Sequence, residues 1–109
     1  MNAEQVARND AVFRAANERI ELAAARVQAA EPLPFICECA DVTCRELVPL
    51  TRAEYEGVRR QPTWFLVAPG HEGGSDGAAR IVERGNAYFV VEKLGSAADV
   101  AEALDPRTG

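Results

Sequence analysis

The sequence predicts an α+β protein with a long N-terminal helix, a small, mostly antiparallel sheet with one inserted helix and a metal site, and a short C-terminal helix. Three observations predict this: a first segment without Gly or Pro, short β-branched and aromatic segments after it, and three cysteines with a single histidine. We divide the chain into an N-terminal helix (1–31), a compact zinc-binding α+β body (32–95) and a short C-terminal helix with a frayed tail (96–109).

Residues 2–30 are rich in the strong helix formers Ala, Glu, Arg and Gln, and Pro32 and Pro34 end the segment. Apolar residues recur every seven positions and predict a narrow seam, which packs either on the protein's own body or on a partner helix. The seam comprises Val6, Phe13, Ile20 and Val27, with Ala16, Ala23 and Ala30. Arg14 and Glu18 are spaced as an i,i+4 pair, and we expect the charged positions to form a solvated face.

The body begins with two predicted antiparallel strands, 33–37 and 46–50, joined by a turn that carries the later cysteines. Thr51 and Glu54 then form a capping box, which predicts a helix over 52–61 that ends before Pro62. Tyr55 and Val58 share the predicted buried face of that helix.

A central or half-buried strand is predicted over 63–67, followed by a glycine-rich turn from Gly70 to Gly77. The next two segments, 80–84 and 87–93, flank Gly85-Asn86 and predict a β-hairpin. Ser96, with an acid three residues later, predicts the start of a C-terminal helix that ends at Asp105-Pro106.

Cys37, Cys39, Cys44 and His71 supply one complete tetrahedral ligand set, and we expect them to bind Zn²⁺. The first three form a C-x-C-x4-C cluster, and His71 follows the strand over 63–67. This spacing resembles the zinc motif that follows SET methyltransferase domains, where a fourth cysteine from elsewhere completes the site. Four ligands with none to spare favour a closed structural site. A catalytic site would instead keep one coordination position open for water.

Three other interpretations of the cysteines remain open: one disulfide with a free thiol, three buried thiols that act as small apolar groups, and an iron–sulfur cluster. The absence of a secretory leader pattern disfavours the disulfide. Flanking charged residues, including Glu38 and Asp41, disfavour the buried thiols.

Composition limits the partners. Twelve basic and 17 acidic residues give a formal net charge of −5, so nucleic acid is a poor partner for this chain. No apolar run reaches the length of a membrane span, and we expect a cytoplasmic protein.

The sequence does not decide whether the protein is an enzyme, although the balance is against it. Glu72 beside His71 would be the general base of a zinc hydrolase, but the helical H-E-x-x-H arrangement is absent and glycines follow. We expect a zinc-stabilised protein-interaction or regulatory module, with a partner or a second copy bound through the N-terminal helix. The alternative is a thiol-redox or metal-responsive switch.

Several segments together resemble a family of small bacterial proteins typical of high-GC genomes. The matching pattern is F-x-C-E-C-x4-C, then L-T-x2-E-Y-E-x-V-R, P-G-H-E and V-V-E-K, and it extends over most of the chain. The resemblance implies a common zinc-site layout and no particular activity.

Overall fold

The structure, a computed structural model, describes residues 2–72 and 79–107 of the chain. Its elements are α1 (Ala3–Val27), β1 (Leu33–Ile36), β2 (Leu47–Leu50), α2 (Arg52–Val58), β3 (Trp64–Val67), β4 (Ala79–Arg84), β5 (Phe89–Lys93) and α3 (Gly95–Ala103). The predicted α+β class and element order are therefore confirmed. Most of the glycine-rich turn, from Gly73 to Gly77, lies outside the described residues, as does the end of the tail.

The strands form two small antiparallel sheets. The first pairs β1 with β2, and the second has the order β3-β5-β4. The predicted β4–β5 hairpin is present, with a bulge between Ile81 and Glu83. β3 is an outer strand rather than a central one, yet Phe65, Leu66 and Val67 are all buried because other segments cover its free edge.

The core lies between the sheets and helices α2 and α3. Phe35 of β1 stacks on Tyr55 of α2, with ring centroids 4.3 Å apart. The capping box of Thr51 and Glu54 is present at the start of α2, and both Tyr55 and Val58 are buried as predicted. The helix ends at Val58, three residues earlier than expected.

Helix α1 packs against β1 and α3, and the predicted seam is buried only in part: Val6 is buried and Ile20 packs against the core, whereas Val27 is 75% exposed. The buried face also carries three polar residues at helical spacing: Asp10, Arg14 and Asn17. The seam was right only in part because a heptad count rewards apolar residues, whereas much of this face is buried through hydrogen bonds and charge pairs.

Arg14 is buried on this face by polar contacts and a ring contact. Its side chain is fully buried, donates to the carbonyls of Pro62 (2.6 Å) and Ala101 (2.8 Å), and lies over the Phe65 ring. The expected solvated pair with Glu18 does not form, since Glu18 accepts from Tyr55 and Arg107.

The C-terminal end also differs from expectation. Helix α3 begins at Gly95 with Leu94 as its N-cap and no side-chain cap, so Ser96 does not open it. Beyond the helix, Asp105 is buried against Arg59 (2.5 Å), and Arg107 contacts α1 and α2. The described part of the tail is therefore held to the body.

Candidate metal centre

Four potential ligand atoms converge at one end of β1 and β3. The Sγ atoms of Cys37, Cys39 and Cys44 and a ring nitrogen of His71 all lie within 4.8 Å of one another. The Nδ1 atom of His71 is 3.6 Å from the Sγ of Cys37 and 3.6 Å from that of Cys44. All four residues expected from the sequence are thus brought together.

Each ligand is positioned by local backbone geometry. Cys37 directly follows β1, and its amide donates to the Glu46 carbonyl (3.2 Å), which continues the β1–β2 ladder. Asp41 organises the return to Cys44: its carboxylate accepts from the Thr43 amide (2.9 Å), and its carbonyl accepts from the Cys44 amide (3.0 Å). This turn makes the C-x4-C spacing compact enough for both sulfurs to face one point.

His71 is placed by a tight turn after β3. Its amide donates to the Ala68 carbonyl (2.9 Å), with Pro69 and Gly70 at the two central positions. Gly70 has φ of +91°, which matches a type II turn with Pro and Gly in their preferred places. A side chain at position 70 would strain this turn and displace the imidazole from the sulfurs.

The separations fit a tetrahedral ion. Bonds of about 2.3 Å to sulfur and about 2.05 Å to nitrogen at the tetrahedral angle place S and N about 3.6 Å apart. Two measured S···N separations have this value. The donor set of three thiols and one imidazole therefore suits a single soft or borderline metal ion.

Burial shapes the electrostatics of the cluster. Cys37 and Cys39 are buried, whereas Cys44 and His71 are partly exposed. Burial raises the pKa of the Cys37 thiol to about 12, although the Ala68 amide, which donates to its sulfur (3.2 Å), acts in the opposite direction. Burial also raises the pKa of the Cys39 thiol. A bound cation would supply the positive charge that favours the thiolate forms.

Glu38, between two of the cysteines, is the residue that the sequence reasoning missed. Its side chain is fully buried, and its Oε1 accepts from the Leu66 amide (3.0 Å) while its own amide donates to the Leu66 carbonyl (2.9 Å). Burial raises the pKa of Glu38 to about 7, offset in part by hydrogen bonds from Asn17 and Leu66. Glu38 thus joins the cysteine segment to the free edge of β3.

Asn17 completes the connection from α1. Its amide nitrogen donates to the Ile36 carbonyl (2.8 Å) and to Oε2 of Glu38 (2.8 Å), and its oxygen accepts from the Ile36 amide (2.8 Å). The available signal was an asparagine in the middle of a helix, on the same face as Asp10 and Arg14. Helical spacing of polar residues on an apolar face indicates buried polar partners.

A cavity of about 300 Å³ opens beside the cluster, lined by Cys39, Ala40, Asp41, Gly70 and His71. Glu72, the other candidate functional residue, accepts a hydrogen bond from the Gly70 amide (2.8 Å) and so braces the turn that carries His71.

No known protein family, curated protein or solved structure matches this chain. No helix in the described residues is long and apolar enough to cross a membrane.

Proposed function

We propose that Cys37, Cys39, Cys44 and His71 bind one Zn²⁺ ion in a structural site, and that the protein is a small cytoplasmic zinc-stabilised interaction or regulatory module. The observation that carries the zinc assignment is the pair of 3.6 Å separations between thiol sulfurs and the imidazole nitrogen, the value expected for tetrahedral zinc. Four protein ligands fill the coordination sphere, which supports a structural role rather than hydrolysis.

The position of the cluster supports a stapling role. The ligands come from segments that follow β1 and β3, strands of two different sheets. An ion held by all four would fasten the sheets together at one end, where hydrogen bonds already join Glu38 to Leu66 and the Ala68 amide to the Cys37 sulfur. In a chain of 109 residues, with a limited core, metal affinity would contribute directly to the free energy of folding.

Metal analysis tests this assignment. Protein purified without added metal should contain about one zinc per chain by elemental mass spectrometry. Cys44→Ser and His71→Ala should each lower the zinc content, whereas Val42→Ala, a change to an exposed side chain in the same loop as Cys44, should retain it. Iron in place of zinc, or full zinc content in both ligand variants, would contradict the proposed site.

The interaction role is supported by the distal half of α1. Leu22 and Val27 are 56% and 75% exposed, and Ala23 of the predicted seam is exposed on the same helix. Ala30, the last residue of that seam, is also exposed but lies beyond the end of α1. Apolar side chains left uncovered on a long helix suit a partner helix or a second copy of this chain. In sedimentation velocity, a concentration-dependent dimer should be lost on Leu22→Glu with Val27→Glu. A wild-type protein that stays monomeric at every concentration would exclude self-association.

A thiol-redox or metal-responsive switch is the second candidate, and the cavity beside the cluster favours it. A small oxidant could enter this space and reach Cys39, and Cys44 is itself partly exposed. Mild peroxide should then release zinc, detected with a chelating dye, before the protein unfolds. A purely structural site would retain zinc until denaturation.

A further inference from the structure

A second cavity, far along the chain from the metal ligands, lies between helix α2 and one face of the three-stranded sheet. Its volume is about 260 Å³. Its lining combines two aromatic residues, two acids and one base with small apolar groups: Trp64, Tyr88, Glu54, Glu83, Arg60, Gly57, Val58 and Val90.

The strand register explains how these side chains meet. Leu66 pairs with Val90, and Glu83 also pairs with Val90 across β4 and β5. Because alternate residues of a strand share a face, Trp64 and Tyr88 lie on the same face as Val90 and Glu83. Helix α2 covers this face, with Val58 buried and Gly57 beside the opening.

Gly57 is the residue that requires an explanation. It lies inside α2, although glycine destabilises the interior of a helix relative to alanine. Its backbone has no positive φ, and outside its own helix no heavy atom lies within 4 Å of the position that a Cβ would occupy. Neither conformation nor packing therefore requires glycine at this position, but a side chain there would enter the cavity.

The charges around the cavity select the sign of a ligand. The two acids, Glu54 and Glu83, outnumber the one base, Arg60. Both acids lie near Tyr88: burial is the larger cause of the raised pKa of its phenol, and these two carboxylates raise that pKa further. Indole and phenol rings attract cations over their faces, and carboxylates add to that attraction. An anion would face the net negative charge of the lining.

We propose that this cavity is a binding site for an organic cation, an alkylated ammonium group held by Trp64 and Tyr88 and paired with Glu54 and Glu83. The same group occurs on free small molecules and on methylated lysine side chains. Gly57 keeps the entrance open, and Arg60 lowers the affinity for a simple cation through like-charge repulsion.

The test uses tetramethylammonium chloride titrated into the intact protein, with sodium chloride at equal ionic strength as the blank. Trp64 is the chain's only tryptophan, so its fluorescence reports on the cavity directly. We expect a saturable change with tetramethylammonium and none with neutral tert-butanol of similar size. An equal response to both compounds, or no response to the cation, would overturn the proposal.

Variants separate charge from shape. Glu83→Gln should weaken binding about fivefold, as for one exposed charge pair, and Tyr88→Leu about tenfold. Arg60→Ala should tighten the binding of tetramethylammonium, whereas weaker binding in Arg60→Ala would show that Arg60 does not repel the cation and would refute the assigned charge preference. Gly57→Leu should abolish binding while the helix keeps its circular dichroism signal, and Ala53→Leu, exposed on the same helix, should bind normally.

A peptide containing trimethyllysine distinguishes the two sources of the group. Binding at least tenfold tighter than that of tetramethylammonium would identify a methylated polypeptide as the ligand, because contacts beyond the ammonium group must then contribute. Equal affinity would identify a free small cation.

Discussion

Asn17 bonds to both backbone groups of Ile36 and to the carboxylate of Glu38, and all three contacts are shielded by burial of its side chain. Asn17→Ala would leave a strand amide, a carbonyl and a buried acid without these partners. We expect the free energy of unfolding to fall by about 2–4 kcal/mol. Chemical denaturation in zinc-containing buffer measures this loss.

A matched control is available two residues further along the helix. Arg19 is exposed, and Arg19→Ala should change stability by no more than about 0.5 kcal/mol. If Asn17→Ala were equally mild, the hydrogen bonds from Asn17 to β1 and Glu38 would not contribute measurably to docking of α1.

Glu21 provides a residue-scale prediction about pH. Burial, followed by the proximity of Glu56, raises the pKa of Glu21 to about 7. A raised carboxyl pKa means that the folded protein keeps a proton which the unfolded chain releases above about pH 4.5. The stability contributed by this group is therefore complete below that pH and is lost as the pH rises through about 7.

Glu21→Gln should remove this loss. We expect the variant to be about 1 kcal/mol more stable than wild type at pH 8, and the two to be nearly equal at pH 4.5. Thermal unfolding at the two pH values measures the difference, with the exposed Glu46→Gln as control. A variant destabilised at pH 8 would mean that the ionised Glu21 is stabilised by Arg107 more than it is repelled by Glu56.

At the scale of elements, Arg107 connects three parts of the chain. Its guanidinium contacts Glu18 (2.5 Å) and Glu21 (3.3 Å) of α1 and Glu56 (2.8 Å) of α2. One cation thus holds three carboxylates together. Arg107→Ala should lower the free energy of unfolding by about 1–2 kcal/mol, more than a single surface ion pair, because the acids would then repel one another.

A double variant identifies repulsion as the cause. Adding Glu21→Gln to Arg107→Ala should restore part of the lost stability, and higher salt should shrink the effect of Arg107→Ala through screening. A loss that neither salt nor the second substitution changes would point to lost packing of the tail instead.

The elements show why some features were predictable and others were not. Strands β1 and β2, the capping box of α2 and the hairpin at Gly85 depend on local propensity and turn chemistry, which short segments carry by themselves. The convergence of Cys37, Cys39, Cys44 and His71 was predictable because few residue types bind zinc and the sequence holds one complete set.

Long-range polar contacts were not predictable in the same way. Arg14, Glu38 and Arg107 each find partners more than 20 residues away, and their residue types are ordinarily exposed. The local sequence pattern predicted that these residues would lie on the surface or in a frayed end. Only the three-dimensional arrangement supplies the carbonyls, amides and carboxylates that permit their burial.

At the scale of the whole molecule, the metal ligands, Glu38 and Asn17 form one continuous set of contacts from β3 to α1. Removal of zinc with a chelator should therefore loosen more than the ligand loop. We expect hydrogen–deuterium exchange to rise in β1, β2 and the middle of α1, whereas β4 and β5 keep most of their protection.

The comparison of zinc-loaded and chelated protein has an internal control. The N-terminal part of α1 has an anchor outside the cluster, because Asp10 pairs with Lys93 of β5. It should therefore change less than the segment around Asn17, although Asn9 also donates to the Ala40 carbonyl in the cysteine loop (3.3 Å). Uniform exposure of every element would instead indicate that the metal supports the entire fold cooperatively, and no change would separate α1 docking from the metal.

The side chain of Asn17 also protects the open edge of the first sheet. By binding both the amide and the carbonyl of Ile36, it occupies the hydrogen-bonding positions through which β1 could accept a strand from another molecule. The helix thereby seals the sheet edge with one amide group. A protein that lost this seal would present an unpaired apolar strand, and edge-to-edge aggregation would compete with refolding.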